Sequence, residues 1–324
     1  MNSKLKYYLI LLLACFIWGA TPLCGRILKD SLSPILITTA RFYVVAIILF
    51  AVILATQGFK GLRISKSDLK VLLLMSVVGI YLHNSLLFEA LRHTTASNAS
   101  IIEAVGPSVT SILAYFFIGE RLSKIGWVGI FISCFGAIYI VCKGSIDTLL
   151  NFEFNIGELM VLACEIMWSI YVIISWKLSK DINALAVTAY TGLFGATFCL
   201  ITGLATDSLE IYRINTSDIF YFFILSVFAG VVSFASWNYA IAKVGASKGG
   251  TFIYLVPVFG VFFGITILGE SFALSSLVGA VIVLFGMFFS IKAKSTVADN
   301  KKSAEEIKQE LLSSDKFMKK IKKK

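Results

Sequence analysis

From Tyr7 to Ile291 the chain is an almost unbroken succession of apolar stretches separated by short polar breaks. A helix rises 1.5 Å per residue, so about 20 apolar residues cross a hydrocarbon core of about 30 Å. Ten stretches of that size follow one another, near 7–27, 34–56, 69–91, 97–118, 125–143, 157–176, 184–205, 218–240, 247–268 and 273–291. Composition agrees: 58% of residues are hydrophobic and 15% charged, against roughly 25% charged in a soluble globular chain. The short alternating segments of a membrane barrel are absent. Open backbone is too costly in lipid, so the spans are helices. The expected fold class is an all-α membrane protein with ten transmembrane helices. The first stretch continues past Trp18 and Gly19 without a small-residue cleavage pattern and is read as an uncleaved span.

The second constraint is internal similarity at one constant offset of 150 residues. Trp18 matches Trp168, Ser67-Asp68 matches Ser217-Asp218, and Ser76 matches Ser226. Ala96-Ser97 matches Ala246-Ser247, Pro107 matches Pro257, Gly119-Glu120 matches Gly269-Glu270, and Gly129 and Gly136 match Gly279 and Gly286. The pattern divides the chain into a first five-helix repeat over 1–146, a second over 147–294 and a basic tail over 295–324. An odd number of spans per repeat forces the second copy to enter the membrane from the opposite side. The repeats are therefore inverted.

The net charge of +10 does not point to nucleic acid, because much of the lysine excess lies in the last thirty residues and near helix ends. It points to orientation. With the N-terminus inside, Lys4, Lys6, Lys60, Arg63, Lys66 and Lys70, further lysines of the inner loops and the basic tail are cytoplasmic, whereas Arg26, Lys29, Arg92, Lys143 and Arg213 are outside. This is the positive-inside arrangement, with both termini cytoplasmic. The expected location is the cell (inner or cytoplasmic) membrane.

Two similar halves packed about an in-plane axis can close on either side of a central site, so inverted repeats point to alternating access. No G-x-x-x-x-G-K-[ST] motif occurs, so the chain holds no nucleotide-driven motor. Gly245, Ser247 and Gly249 spell G-x-S-x-G without the strand that a nucleophile elbow needs. No H-E-x-x-H occurs, and His83 and His93 form no metal cluster. The six cysteines lack metal or redox spacing and read as small buried hydrophobes. An enzyme, a metal and a cofactor are all unexpected.

Pro107 and Pro257 fall about ten residues into their spans, close to the bilayer midplane. Each should kink its helix and release the carbonyl four residues earlier, on Glu103 and Ile253. Paired discontinuities in corresponding repeat positions point to a transport site, although a packing kink is the simpler use. Arg41, His83, Glu103 and Glu165 are ionisable residues inside spans, where such groups need a partner or a wet cavity. By helix rise all four lie roughly 9 to 12 Å below the outer surface. One polar layer could hold them, with an Arg41–Glu103 or Arg41–Glu165 ion pair. For Arg41 a structural tether is expected; for Glu103, substrate or proton binding stands beside pairing. Trp18 and Trp168 supply flat apolar walls for a substrate or simply pack between helices. Tyr81, Asn84, Asn98 and Tyr171 are further substrate-site candidates, and Asn238 and Tyr239 are assigned to an inner gate. Gly119-Glu120 and Gly269-Glu270 read as helix-ending turns, each carboxylate favouring the start of the next helix. Gly129 with Gly136 and Gly279 with Gly286 let helices five and ten approach closely, or serve a homodimer.

These residues together resemble the drug/metabolite transporter superfamily, specifically its ten-helix EamA-type members. The match runs through Trp18-Gly19, Ala40-Arg41-Phe42, Ala96 to Ser100 with Pro107, Gly119-Glu120-Arg121-Leu122, Gly129 and Gly136, then Ala246-Ser247, Pro257, Gly269-Glu270, Gly279 and Gly286. The resemblance implies a secondary carrier, often an exporter of amino acids or other metabolites, with a cavity formed by helices one, three, four, six, eight and nine. Glu103 and Glu165 lie outside the family's general pattern. The expected partners are a small-molecule substrate and the lipid bilayer, with proton coupling through Glu103. The alternative function is a non-transporting membrane receptor or assembly subunit. The basic tail is either a surface helix on anionic lipid or a solvated segment.

Overall fold

The computed structural model describes residues 5–119, 123–151, 154–175, 177–178, 182–244, 251–271 and 273–289. Eight helices are long and apolar enough to cross a membrane: α1 (Leu5–Leu28), α2 (Pro34–Leu62), α3 (Lys66–His93), α4 (Ala96–Phe117), α5 (Lys124–Val141), α6 (Ile156–Ser175), α7 (Ala184–Ala205) and α8 (Thr216–Ile241). Two shorter apolar helices, α9 (Phe252–Thr266) and α10 (Leu274–Phe289), complete ten. Among the described residues there is no strand, only one isolated bridge between Leu32 and Ile211. The fold is two inverted repeats of five helices.

The third helix of each repeat starts at the same sequence signal. The Asp68 amide donates to Ser65 Oγ at 3.0 Å, and the Asn215 amide donates to Asp218 Oδ2 at 2.7 Å. Each cap satisfies amides that a helix start leaves unbonded. The two helices then share a second feature that hydrophobicity does not reveal: a π-helical stretch, Ser76–Leu82 in α3 and Ile224–Val232 in α8. The two stretches overlap at the repeat offset. Such insertions loosen the backbone ladder and cluster at functional sites.

Helix packing obeys the exchange that an inverted duplication requires. α1 packs on α8 and α9, and its counterpart α6 packs on α3 and α4. α2 and α7 form the most extensive helix pair, along the face that carries Ala189, Gly192 and Ala196. Lipid offers no hydrophobic drive between helices, so close backbone approach and dispersion hold this seam. α5 and α10 meet through their glycines. A Cβ on Gly136 would stand 2.8 Å from the Val283 nitrogen, and one on Gly286 2.6 Å from the Gly129 carbonyl oxygen. The glycine faces expected for close packing or a homodimer thus serve packing inside one chain.

The bundle's two faces are called proximal, where α1 begins, and distal, where it ends. Gly119 and Gly269 take left-handed backbone at φ 72° and 64°, the glycine helix ending read from the sequence. Glu120, the G-x-S-x-G segment and the basic tail lie outside the described residues.

Candidate functional site

The kink expected at Pro107 is a complete break. α4 consists of Ala96–Glu103 and Gly106–Ile118, joined by a turn at Ala104 and Val105. Pro107 occupies the start of the second piece, where its missing N–H falls among donors that a helix start leaves unbonded anyway. Pro257 also differs from the expected mid-helix kink. A tight turn over Thr251–Tyr254 leads into Leu255–Thr266, and Pro257 sits in that helix's first turn. Both prolines therefore sit in the first turn of a helix, at equivalent positions of the two repeats.

The α4 break lies beside α6. Glu103 ends the distal piece, and Gly106 opens the proximal piece directly against Glu165: a Cβ at Gly106 would overlap Glu165 Oε2. Glycine here makes room for a carboxylate. Glu165 is 5% exposed, and Glu103 keeps part of its surface open. The two carboxylates interact electrostatically. Neither has a hydrogen-bond partner or an ion pair among the described residues.

Arg41 supplies the nearby positive charge. It is 6% exposed and its field reaches Glu103, yet no Arg41–carboxylate ion pair closes. The expected pairing is replaced by Asn84: Arg41 Nη1 donates to Asn84 Oδ1 at 3.2 Å. Asn84 Nδ2 in turn donates to the Gly79 carbonyl at 3.0 Å, inside the α3 π stretch. The π stretch thus provides the acceptor that holds Asn84 toward Arg41. Phe42 and Phe88 stand 5.0 and 5.9 Å from the guanidinium, close enough for cation–π attraction. Arg41 Nε and His83 Nδ1 are buried without hydrogen-bond partners among the described residues.

His83 leads to the aromatic wall. Its ring is 5.6 Å from Trp168, and Trp168 stacks on Tyr171 at 4.9 Å with 15° between planes. Tyr171 lies against Gly79, where any Cβ would overlap its ring. Arg41, His83, Asn84, Glu103, Glu165, Trp168 and Tyr171 therefore form one connected group on α2, α3, α4 and α6.

Four other candidates have different company. Trp18 donates its indole N–H to the Ala229 carbonyl at 3.1 Å and packs on Phe234 and Trp237. Tyr81 faces α7, its hydroxyl accepting from Thr202 Oγ1 at 3.2 Å. Asn98 donates to Glu158 Oε1 at 2.7 Å near the distal helix ends. Pro257 is buried where α9 crosses α1. At the proximal end, Tyr239 meets Tyr7 edge to face at 5.8 Å. A surface cleft of about 460 Å³ between the distal ends of α3 and α7, lined partly by Glu89, Arg92, Asp207 and Tyr212, involves none of the residues expected at the site.

The carboxylate of Glu270 has a role that local sequence does not reveal. It was expected to favour the start of α10; it instead accepts from the Ala96 amide at 2.7 Å, the Ser97 amide at 2.9 Å and Ser97 Oγ at 2.7 Å. Arg26 Nε stands 4.0 Å away, while Arg26 Nη1 donates to the Leu91 carbonyl. Glu270 therefore caps the first turn of α4 from the other repeat, where a negative charge is favoured. Below this latch α9 packs closely on Ala96–Glu103, with Gly260 against Ser100. No comparable α9 packing is found along Gly106–Ile118 among the described residues. The latch joins the two repeats at the distal face.

The profile described as the EamA-like transporter family matches residues 5–142 and 155–292. Uncharacterized transporter YyaM of Bacillus subtilis strain 168 is 27% identical over 288 residues, covering 88% of this chain and 93% of its own. Uncharacterized transporter YetK of the same strain is 28% identical over 298 residues, covering 91% and 89%. A solved crystal structure superposes with a TM-score of 0.62 at 18% identity, covering 89% of this chain and 98% of its own; that likeness is one of fold.

Proposed function

Because the chain belongs to the EamA-like transporter family, we propose that this multi-pass membrane protein is a secondary carrier that exports a small organic metabolite, an amino acid or related solute, by alternating access. It works in the cytoplasmic membrane with both termini inside, so the distal face is the outer one. The observation that carries the reading is the pair of unpartnered carboxylates, Glu103 and Glu165, at a helix break between two inverted halves. Unpartnered carboxyl groups in a span are costly, and they persist where a ligand or proton completes them.

Alternating access draws support from the unequal contacts of α4. Its outer piece is bound to α9 and capped by Glu270, whereas its inner piece leans on α6. On this reading the α9 contact and the Glu270 cap hold the outer side closed. Releasing Glu270 from the α4 amides would be part of the outward opening. Glu103 also serves as the proton-exchanging group, with Arg41 of α2 and Glu165 and Cys164 of α6 as its charged or titratable neighbours, while His83 of α3 and Cys24 of α1 neighbour Arg41.

Purified protein in liposomes tests the reading with a panel of amino acids, nucleosides and organic cations under proton or solute gradients. Movement of at least one class is expected. A panel that stays still under every gradient would favour a receptor or assembly subunit instead.

A further inference from the structure

The protein treats its buried and half-buried carboxylates in two ways. Glu270 accepts three hydrogen bonds. Asp218 accepts from Ser31 Oγ at 2.8 Å and the Asn215 amide at 2.7 Å. Asp68 accepts from Ser65 Oγ at 2.6 Å, and Glu158 accepts from Asn98 at 2.7 Å. Donors are thus provided wherever a carboxylate has a structural task. Among the described residues Glu103 and Glu165 receive none, although Glu165 is 5% exposed and Ser169, one turn along α6, directs its hydroxyl to Thr110 and the Gly106 carbonyl instead.

Charge balance then identifies what is missing. With both carboxylates ionised, the group holds two negative charges against one guanidinium, and that guanidinium hydrogen-bonds Asn84 and closes no ion pair with either carboxylate. A neutral solute leaves that imbalance unchanged, a zwitterion adds no net charge, and an anion enlarges it. A monocation removes it. A cation also gains from the aromatic pair that follows Glu165 along α6, where Trp168 and Tyr171 stack, because an indole attracts a positive charge within about 6 Å of its ring. Trp168 donates no hydrogen bond among the described residues, so its ring is not tied to a backbone acceptor as Trp18 is tied to Ala229.

We propose that the group formed by Glu103, Glu165, Trp168 and Tyr171 binds an organic monocation with a flat apolar body, its charge at the carboxylates and its body against the rings. This rests on the carrier reading of the same site and, within small organic metabolites, replaces the amino acid by an ammonium- or pyridinium-like solute without a compensating carboxylate.

The test compares four probes of similar body on the purified full chain, by calorimetry: 1-methyl-4-phenylpyridinium as cation, 4-phenylpyridine at mildly alkaline pH as neutral form, 4-phenylbenzoate as anion and phenylalanine as zwitterion. The cation should bind at least about tenfold more tightly than each of the others, because its charge alone is paired on binding. Glu103→Gln and Glu165→Gln, each checked for an unchanged melting profile, should each weaken it by about tenfold or more. Equal binding of cation and neutral form, preference for the anion or zwitterion, or no binding of the cation would overturn the proposal. Retained cation affinity in the folded Glu103→Gln, Glu165→Gln double variant would also overturn it. Phenylalanine flux by a protein that ignores the cation would leave the carrier reading standing and reject the substrate class alone.

Discussion

Trp18 donates its indole N–H to the Ala229 carbonyl at 3.1 Å, but the same bond is not made by its repeat counterpart. The position equivalent to Ala229 is Gly79, whose carbonyl accepts from Asn84 Nδ2 at 3.0 Å. Trp168 stacks on Tyr171 instead. One duplicated tryptophan fastens two helices, and the other is released to line the polar group.

That division predicts opposite phenotypes. Trp18→Phe should destabilise the protein by about 1 to 3 kcal/mol, because the Ala229 carbonyl loses its donor. Trp168→Phe should leave the melting temperature nearly unchanged and weaken ligand binding severalfold. Thermal melts paired with binding isotherms check both; a Trp18 variant as stable as wild type would contradict the assignment.

Asn84 bridges Arg41 and the π stretch, so its two halves can be tested separately. Asn84→Ala removes the acceptor of Arg41 Nη1 and a donor to the Gly79 carbonyl and should cost about 2 to 4 kcal/mol. Asn84→Asp keeps an acceptor for Arg41 and loses only the donor to Gly79, so it should cost less. Chemical or thermal denaturation in detergent gives the ranking.

Glu270→Ala removes the acceptor for two α4 amides and Ser97 Oγ. The distal closure should weaken, exposing the α4–α9 seam. Ser100, buried against Gly260, reports it as Ser100→Cys: labelling by a membrane-impermeant thiol reagent added outside should rise several-fold in the Glu270→Ala background. Unchanged labelling would mean that the latch does not control access.

The sequence carried much of this architecture and several residues of the candidate site. Apolar windows placed ten helices because the bilayer fixes their length, and helix rise put Arg41, His83, Glu103 and Glu165 at one depth. Depth says nothing of direction around a helix. Tyr81 and Asn98 therefore looked equivalent to Asn84, yet Tyr81 turns to Thr202 and Asn98 to Glu158. The π stretches stayed hidden because backbone register leaves no trace in hydrophobicity. Glu270 was misread because the amides it satisfies belong to Ala96 and Ser97, far upstream.

The glycines of α5 and α10 provide a prediction about assembly. Gly136→Val and Gly286→Val insert side chains where the opposing backbone lies within 2.8 Å, and overpacking of this kind costs about 1 to 3 kcal/mol or more. Stability should fall by the same amount at every protein concentration. A loss that deepens on dilution would indicate that the glycines join two chains.

Ligand binding should depend on pH with a defined sign. Protonating Glu103 or Glu165 removes the charge that a cation requires, so affinity should fall as pH falls. Protonating His83 acts in the same direction, and His83→Asn separates it from the carboxylates. The Glu103→Gln, Glu165→Gln double variant should bind weakly at every pH; a surviving pH slope in that variant would assign the dependence elsewhere.

Counterflow in proteoliposomes tests the central claim most directly. Vesicles loaded with unlabelled 1-methyl-4-phenylpyridinium and diluted into the labelled compound should accumulate label transiently with wild-type protein. The folded Glu103→Gln, Glu165→Gln variant should accumulate none. Equal accumulation by both proteins, or none by wild type for this cation and for every other solute of the transport panel, would contradict a carrier that works through these two carboxylates.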